Sequence, residues 1–178
     1  MSLTLILGPM YSGKSTKLLE YHRKYKLKHK CLLINHKTDK RYSKKQKICT
    51  HDLVSENCMF LDSIEKIEYI ENFDEYEVIF IDEGQFFKDL VLINKIVNEY
   101  RKTVFISGLK GDFKNKGFKN IMELIPLCDD LIMMKSICSL CKKMTDAIYT
   151  KKIIEDDKII DVGSTGKYIP VCRKHFNN

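Results

Sequence analysis

A chain of 178 residues, 44% hydrophobic and 31% charged, is long enough for one ordinary α/β core that buries roughly 70% of the surface its unfolded form exposes. It is too apolar and too poor in Gly and Pro for a disordered or fibrous protein. No run approaches the ~18 apolar residues of a membrane span, and the opening residues show no basic n-region or cleavage site, so the expectation is a cytoplasmic protein with no membrane partner. The net charge of +7 is carried almost wholly by lysine, with arginine only at Arg23, Arg41, Arg101 and Arg173. That balance permits nucleic-acid binding but suits a solvated surface or a phosphate-bearing small substrate equally well. Seven cysteines, an odd number with no export signal, point to reduced thiols or metal ligands rather than a disulfide framework.

In chain order, Leu3 to Leu7 is a short strand-forming run stopped by Gly8-Pro9, and Thr16 to Lys28 has helical spacing with Leu18, Leu19, His22 and Tyr25 on one face. Cys31 to Ile34 reads as a second buried strand. The stretch from His36 to Lys47 is polar and lysine-rich and is expected to be a mobile loop. Asp62 or Ser63 is expected to cap a helix through Ile64, Ile67 and Ile70, and Val78 to Ile81 is a third apolar strand ending in Asp82-Glu83-Gly84. Asp89 is expected to cap a helix carrying Leu90, Ile93, Ile96 and Val97. A fourth strand follows at Thr103 to Ile106, and a fifth at Leu131 to Met134. Continuous apolar strands alternating with helices indicate a parallel sheet covered on both faces. The nucleotide-binding core is expected to span 1–135, and the character changes beyond it, so 136–178 is read as a second, small module.

Gly8-Pro9-Met10-Tyr11-Ser12-Gly13-Lys14-Ser15 is glycine, four residues, then Gly-Lys and a hydroxyl residue, set between a strand and a helix. Glycines there let main-chain N–H groups converge on a phosphate at the helix N-terminus, whose partial positive charge adds to binding. Lys14 is expected to reach the β- and γ-phosphates, and Ser15 to ligate Mg²⁺. Asp82, at the carboxyl end of an apolar strand, is expected to hold Mg²⁺. Glu83, pointing the other way, is the candidate general base for an acceptor hydroxyl; its plainer role is a solvated turn residue. The same pair of carboxylates occurs in ATP-hydrolysing motors, so loop and strand together indicate phosphoryl transfer without naming the acceptor.

Cys138-Ser-Leu-Cys141 and Cys172-Arg-Lys-His175 are two pairs with the two-residue gap of a zinc knuckle. Three thiolates and an imidazole close a tetrahedral site, so the expected Zn²⁺ is structural and staples a tail too short for its own core. Unliganded thiols or a redox pair are the alternatives. Cys31, Cys49, Cys58 and Cys128 lack such spacing and are read as buried or incidental thiols.

With these parts in place the sequence resembles the small zinc-containing (type II) thymidine kinases from Leu5 to about His175. The likeness is carried by the phosphate loop and by Ile81-Asp82-Glu83-Gly84-Gln85-Phe86-Phe87. Gly108-Leu109-Lys110-Gly111-Asp112-Phe113, Ala147-Ile148-Tyr149-Thr150-Lys151 and Gly166-Lys167-Tyr168 complete it. The resemblance implies a RecA-like core, a zinc module with a lasso-like loop over the nucleoside, a homotetramer, and transfer of the ATP γ-phosphate to the 5′-hydroxyl of thymidine with Glu83 as base. It implies that dTTP is a feedback inhibitor. It places Gly8, Met10, Tyr11, Ser12, Gly13, Lys14, Ser15 and Asp39 around the ATP phosphates and Arg41 beside the transferring phosphate, where a guanidinium forks onto oxygens as lysine cannot. It also implies that Met10, Phe86, Leu109, Phe113, Phe118 and Tyr168 enclose the nucleoside, with main-chain groups around Thr150, Val162 and Gly163 reading the base. The residues alone allow blander roles: Phe113 and Phe118 as core, Tyr168 as a surface residue, Arg41 as a solvated charge.

The sequence departs from that family at Lys110, Asp112 and Ser164, in two extra residues between Cys141 and Ala147, and in His175 where many relatives have cysteine. A second function class, a nucleic-acid-binding ATPase, fits a basic chain with a phosphate loop and a zinc knuckle. Against it stand the short chain, the few arginines and the lack of a basic stripe interleaved with aromatics, so no specific nucleic-acid partner is expected.

Overall fold

The computed structural model describes residues 1–39, 47–49, 55–154 and 166–177. Its centre is a six-stranded parallel sheet. The strands are β1 (Ser2–Leu7), β2 (Cys31–His36), β5 (Met59–Leu61), β6 (Val78–Ile81), β7 (Thr103–Gly108) and β8 (Asp130–Met133), in spatial order β5-β2-β6-β7-β1-β8. Two short strands, β3 (Lys47–Cys49) and β4 (Ser55–Asn57), pair antiparallel outside it. The α/β architecture read from the alternation of apolar runs and helices is the one observed.

Because successive side chains of a strand face opposite ways, each strand supplies both faces of the sheet. Leu3, Leu5 and Leu7 join Ile34, Ile79, Ile81, Val104 and Ile106 in one buried cluster. Ile6 joins Leu33, Phe80 and Phe105 in the other, together with Leu18 and Leu19 of helix α1 (Lys14–Tyr25). Helices α2 (Ile93–Asn98) and α3 (Lys119–Leu124) supply Ile93, Ile96, Ile121 and Leu124 to the first cluster. Phe80 and Phe105, neighbours in register, stack with centroids 5.0 Å apart. A sheet buried on both faces needs no polar alternation, which is why these strands are continuous apolar runs.

Several expectations change. Ile64, Ile67 and Ile70 lie three apart, the repeat of a 3₁₀ helix rather than of an α-helix, and a 3₁₀ turn forms over Glu65–Tyr69. Neither Asp62 nor Ser63 caps it: Ile64 is its N-cap residue, and Asp62 pairs with Lys66 at 2.6 Å and Lys37 at 3.3 Å. Asp89 caps that turn instead of its own helix, its Oδ2 accepting from the Glu65 N–H at 3.0 Å. The segment after Asp89 begins as a 3₁₀ turn, Leu90–Leu92, before α2. Helix α1 ends at Tyr25 rather than Lys28. His36 ends β2 rather than opening a loop, and it is buried with its ring 4.6 Å from that of Phe87. Residues 40–46 of the expected mobile loop lie outside the described residues. Among the described residues no helix is long and apolar enough to cross a membrane.

After β8 come β9 (Ser136–Ile137) and β10 (Asp146–Ala147), an antiparallel pair, and β11 (Tyr149–Lys152) and β12 (Tyr168–Val171), a second one. The short helix α4 (Arg173–Asn177) follows. Cys138, Ala147, Tyr149, Val171 and Cys172 form a separate small core there.

Candidate active site and metal centre

A parallel sheet puts the carboxyl ends of all its strands along one edge, where such sheets bind ligands. Here that edge carries the loop after β1, Asp82-Glu83 after β6, Gly108-Leu109 at the end of β7, and Asp39 shortly after β2. Strand β7 lies between β1 and β6, so the phosphate loop and the carboxylate pair face each other across one strand.

Gly13 sits at φ 79° as the N-cap of α1; among the described residues no side chain caps that end, and no acidic residue occupies its first turn. Its N–H groups and the positive end of the helix dipole are thus left to an anion. Tyr11 also has positive φ, 61°, which curls the loop. Gly8 is required by space: a Cβ there would lie 2.7 Å from both the Met134 carbonyl and Ser12 Oγ. Ser12, buried, donates to the Pro9 carbonyl at 2.8 Å. Lys14 arches over the loop with Nζ donating to the same carbonyl at 2.6 Å. Ser15 is half-buried in the first turn of α1.

Asp82 is buried, and its Oδ1 accepts both the Ser107 hydroxyl and, at 3.0 Å, the Glu83 N–H. Glu83 adopts the left-handed conformation at φ 55°, which is costly for a residue with a Cβ. That turn sends two consecutive carboxylates in different directions: Asp82 into the sheet, Glu83 toward Gln85, whose Nε2 donates to its Oε2 at 2.6 Å. Gln85 Oε1 in turn accepts from the Leu109 N–H at 3.0 Å. Asn120 donates through Nδ2 to the carbonyls of Gly84, Gln85 and Phe87 at 3.3, 3.0 and 2.7 Å. Asp39 is buried and accepts from Asn35 Nδ2 at 3.0 Å.

Of the residues expected around a nucleoside, Met10 and Thr150 meet directly, the Met10 N–H donating to Thr150 Oγ1 at 3.0 Å. Phe113 and Tyr168 face each other with ring centroids 6.5 Å apart, and Tyr168 is buried rather than a surface residue. Phe86 is half-buried beside the His36 ring, 5.8 Å away. Phe118 precedes α3 as its N-cap residue and packs partly on the main core. Arg41, Val162, Gly163 and Ser164 lie outside the described residues. Lys110 sets its ammonium over the Tyr149 ring at 5.3 Å. Asp112 closes a turn, its Oδ1 accepting from the N–H groups of Lys114 and Lys116 at 2.9 and 2.8 Å.

Gln85, Ser107, Asn120 and Asn35 carry contacts to this site that the motif reading did not assign. Ser107 and Asn35 could have been suspected as polar residues closing otherwise apolar strands, since a buried hydroxyl or amide there needs a partner.

At the other end, Cys138, Cys141, Cys172 and His175 converge, with all four ligand atoms within 4.8 Å of one another. Ligands tetrahedral about Zn²⁺ at its usual bond lengths have S···N edges of about 3.6 Å and S···S edges of about 3.8 Å. The Cys138, Cys141 and Cys172 sulfurs lie 3.5, 3.4 and 3.5 Å from His175 Nδ1, and Cys141 and Cys172 Sγ are 3.8 Å apart. Burial raises the Cys138 thiol, but the main-chain N–H groups of Cys172 and Leu140 and the His175 ring outweigh it and bring it down to about 6. Cys141 moves the other way: Thr145 lowers it, but burial and the Cys138 and Cys172 thiols outweigh that and raise it. The cluster therefore has the donor set and spacing to hold a zinc ion.

The chain matches the family profile described as "Thymidine kinase" over residues 1–176. It is 38% identical over 182 residues to a thymidine kinase of Choristoneura fumiferana entomopoxvirus, covering 99% of this chain and 97% of that one. It is 37% identical over 173 residues to one from rabbit fibroma virus (strain Kasza), covering 97% and 94%. The figure is again 37%, over 176 residues, for one from vaccinia virus (strain Western Reserve), covering 98% and 96%. A full-length match of this kind, over a chain whose sheet edge gathers a phosphate loop and paired carboxylates, shows that the protein belongs to the thymidine kinase family.

Proposed function

We propose that the protein transfers the γ-phosphate of ATP to the 5′-hydroxyl of thymidine, giving dTMP and ADP in a salvage route to DNA precursors. The observation that carries this is the left-handed turn at Glu83, φ 55°. It presents one carboxylate beside the triphosphate loop's edge of the sheet while leaving Asp82 buried against Ser107. On this reading the loop from Gly8 to Ser15 cradles the triphosphate and Lys14 moves from the Pro9 carbonyl to the phosphates. With ATP, Ser15 and Asp82 would hold Mg²⁺, whose charge offsets that on the phosphate oxygens. The 5′-oxygen attacks the γ-phosphorus, the bond to the β-phosphate oxygen breaks, ADP leaves, and Glu83 takes the hydroxyl proton. Met10, Phe86, Leu109, Phe113, Phe118 and Tyr168 enclose the nucleoside, with main-chain groups at Thr150, Val162 and Gly163 reading the base. Asp39 and Arg41 attend the transferring phosphate.

The same reading divides the chain into a kinase core, 1–135, and a module, 136–178, held by a structural Zn²⁺. It makes the enzyme a cytoplasmic homotetramer inhibited by dTTP. Initial-rate assays with MgATP and thymidine, deoxyuridine or deoxycytidine test it. Saturable phosphorylation of thymidine with little deoxycytidine product is expected, whereas ATP hydrolysis without a nucleoside product would refute the kinase. Glu83→Gln is expected to lower kcat by about 10²–10⁴-fold with ATP affinity nearly intact.

A further inference from the structure

Gln85 is buried, yet both ends of its amide are engaged, each on a different segment of the site. Its orientation is settled by the network itself. The Leu109 main-chain N–H can only donate, so the amide oxygen must face it, and the amide nitrogen must then face Glu83. At 2.6 Å from Oε2 that N–H meets a carboxylate oxygen, a charge-assisted hydrogen bond of the stronger kind.

The surroundings leave Gln85 little freedom. A Cβ at Gly108 would come within 2.9 Å of Gln85 Oε1, so only glycine there lets the amide reach across to β7. A Cβ at Gly84 would lie 2.6 Å from Ile106 Cγ2, which holds the main chain of the turn tight against the same strand. Asn120 grips three carbonyls of the turn from α3. A left-handed glutamate persists only where its surroundings over-determine it, and these contacts contribute to that.

We propose that Gln85 is a positioning residue for the transfer. Its amide aims the Glu83 carboxylate at the acceptor hydroxyl and ties that aim to the main chain at Leu109, one of the residues read as enclosing the nucleoside. The inference rests on the reading of Glu83 as the base. Gln85 touches neither substrate in this account, so losing its bond to Glu83 alone appears in kcat rather than in binding.

The test compares Gln85→Glu, Gln85→Met and Glu83→Gln in the full chain, by steady-state kinetics with thymidine and MgATP. Gln85→Glu is nearly isosteric and keeps an oxygen for the Leu109 N–H, but replaces the donor to Glu83 by a second carboxyl group. Its kcat is expected to fall about 10–100-fold, with both KM values within about threefold of wild type. Gln85→Met also strands the Leu109 N–H, and is expected to match that kcat loss and raise the thymidine KM as well. Wild-type kcat in Gln85→Glu, or a loss confined to KM, would overturn the proposal. Glu83→Gln separates the two ideas: if it keeps wild-type turnover, the base assignment fails whatever Gln85 does. If it is inactive while Gln85→Glu turns over normally, the base stands and the positioning role falls.

Discussion

In the sheet, Leu5, Ile34, Ile81 and Ile106 are wholly shielded from solvent, and each is surrounded by aliphatic neighbours from strands and helices on its face. Around the Cys/His cluster the buried residues are Cys138, Ala147, Tyr149, Val171 and Cys172, two of which are ligand candidates themselves. The first region is packed with aliphatic side chains on both faces of the sheet. The second has a much smaller core, and its four two- to four-residue strands are joined by main-chain bonds such as Cys138 N–H to Thr145 O at 2.8 Å and Ser139 N–H to Pro170 O at 3.0 Å. Small domains short of a core are commonly held by metals. The contrast matters to the chemistry, because the second region supplies Thr150 to the phosphate loop through the Met10 N–H.

Metal removal breaks the comparison most sharply. Structural zinc sites of this donor type bind with an apparent free energy of about 10–16 kcal/mol. Chelation is therefore expected to abolish amide hydrogen-exchange protection across β9–β12 while β1, β6 and β7 keep theirs. Protection unchanged in β11 and β12 after verified metal loss would mean that packing suffices there too. A smaller effect probes the sheet: Phe80 is fully buried, stacked on Phe105 and edge-on to His22 with centroids 5.3 Å apart. Phe80→Ala is expected to cost about 3–5 kcal/mol, read as a lower denaturant midpoint at unchanged slope. A loss under about 1 kcal/mol would show that the core collapses into the gap.

The smallest effect is acid sensitivity confined to the core. Burial pushes His22 below its ordinary 6.5, against Glu56 and aided by Lys26 and Arg23. Burial also pushes His36 below 6.5, against the main chain of Asp62. Consistently, His36 Nδ1 accepts from the Thr38 N–H at 3.1 Å, as a neutral ring can. The folded protein keeps both rings neutral at a pH where the unfolded chain already binds protons. Stability contributed by the two is therefore complete above 6.5, declines as pH falls through 6.5, and levels off below the lowered folded values. Urea midpoints measured from pH 8 to 5 on wild type and His22→Gln check this, and an equal decline in both would remove His22 from the account.

The motifs that were legible in the sequence share one property: their residues are local. The phosphate loop, Asp82-Glu83 and the two knuckles each lie within eight residues, and their chemistry demands fixed spacing. Asp89 shows the opposite case, because its cap belongs to a turn 24 residues earlier and no local pattern announces that. The strand Met59–Leu61 is not legible because three residues carry no period, and the helix expected through Ile64, Ile67 and Ile70 takes the 3₁₀ form that isoleucines three apart fit.

By itself, then, the amino-acid order determined the α/β class, the phosphate loop, the carboxylate pair and the four metal-ligand candidates, since hydrophobic run length and ligand spacing are local physical requirements. Only the tertiary structure decided that β7 lies between the loop and the carboxylates, that Glu83 adopts the left-handed conformation, and that Gln85, Ser107 and Asn120 hold them. Those facts depend on which strands become neighbours and which buried polar groups must then find partners, and both are settled only when distant segments pack together.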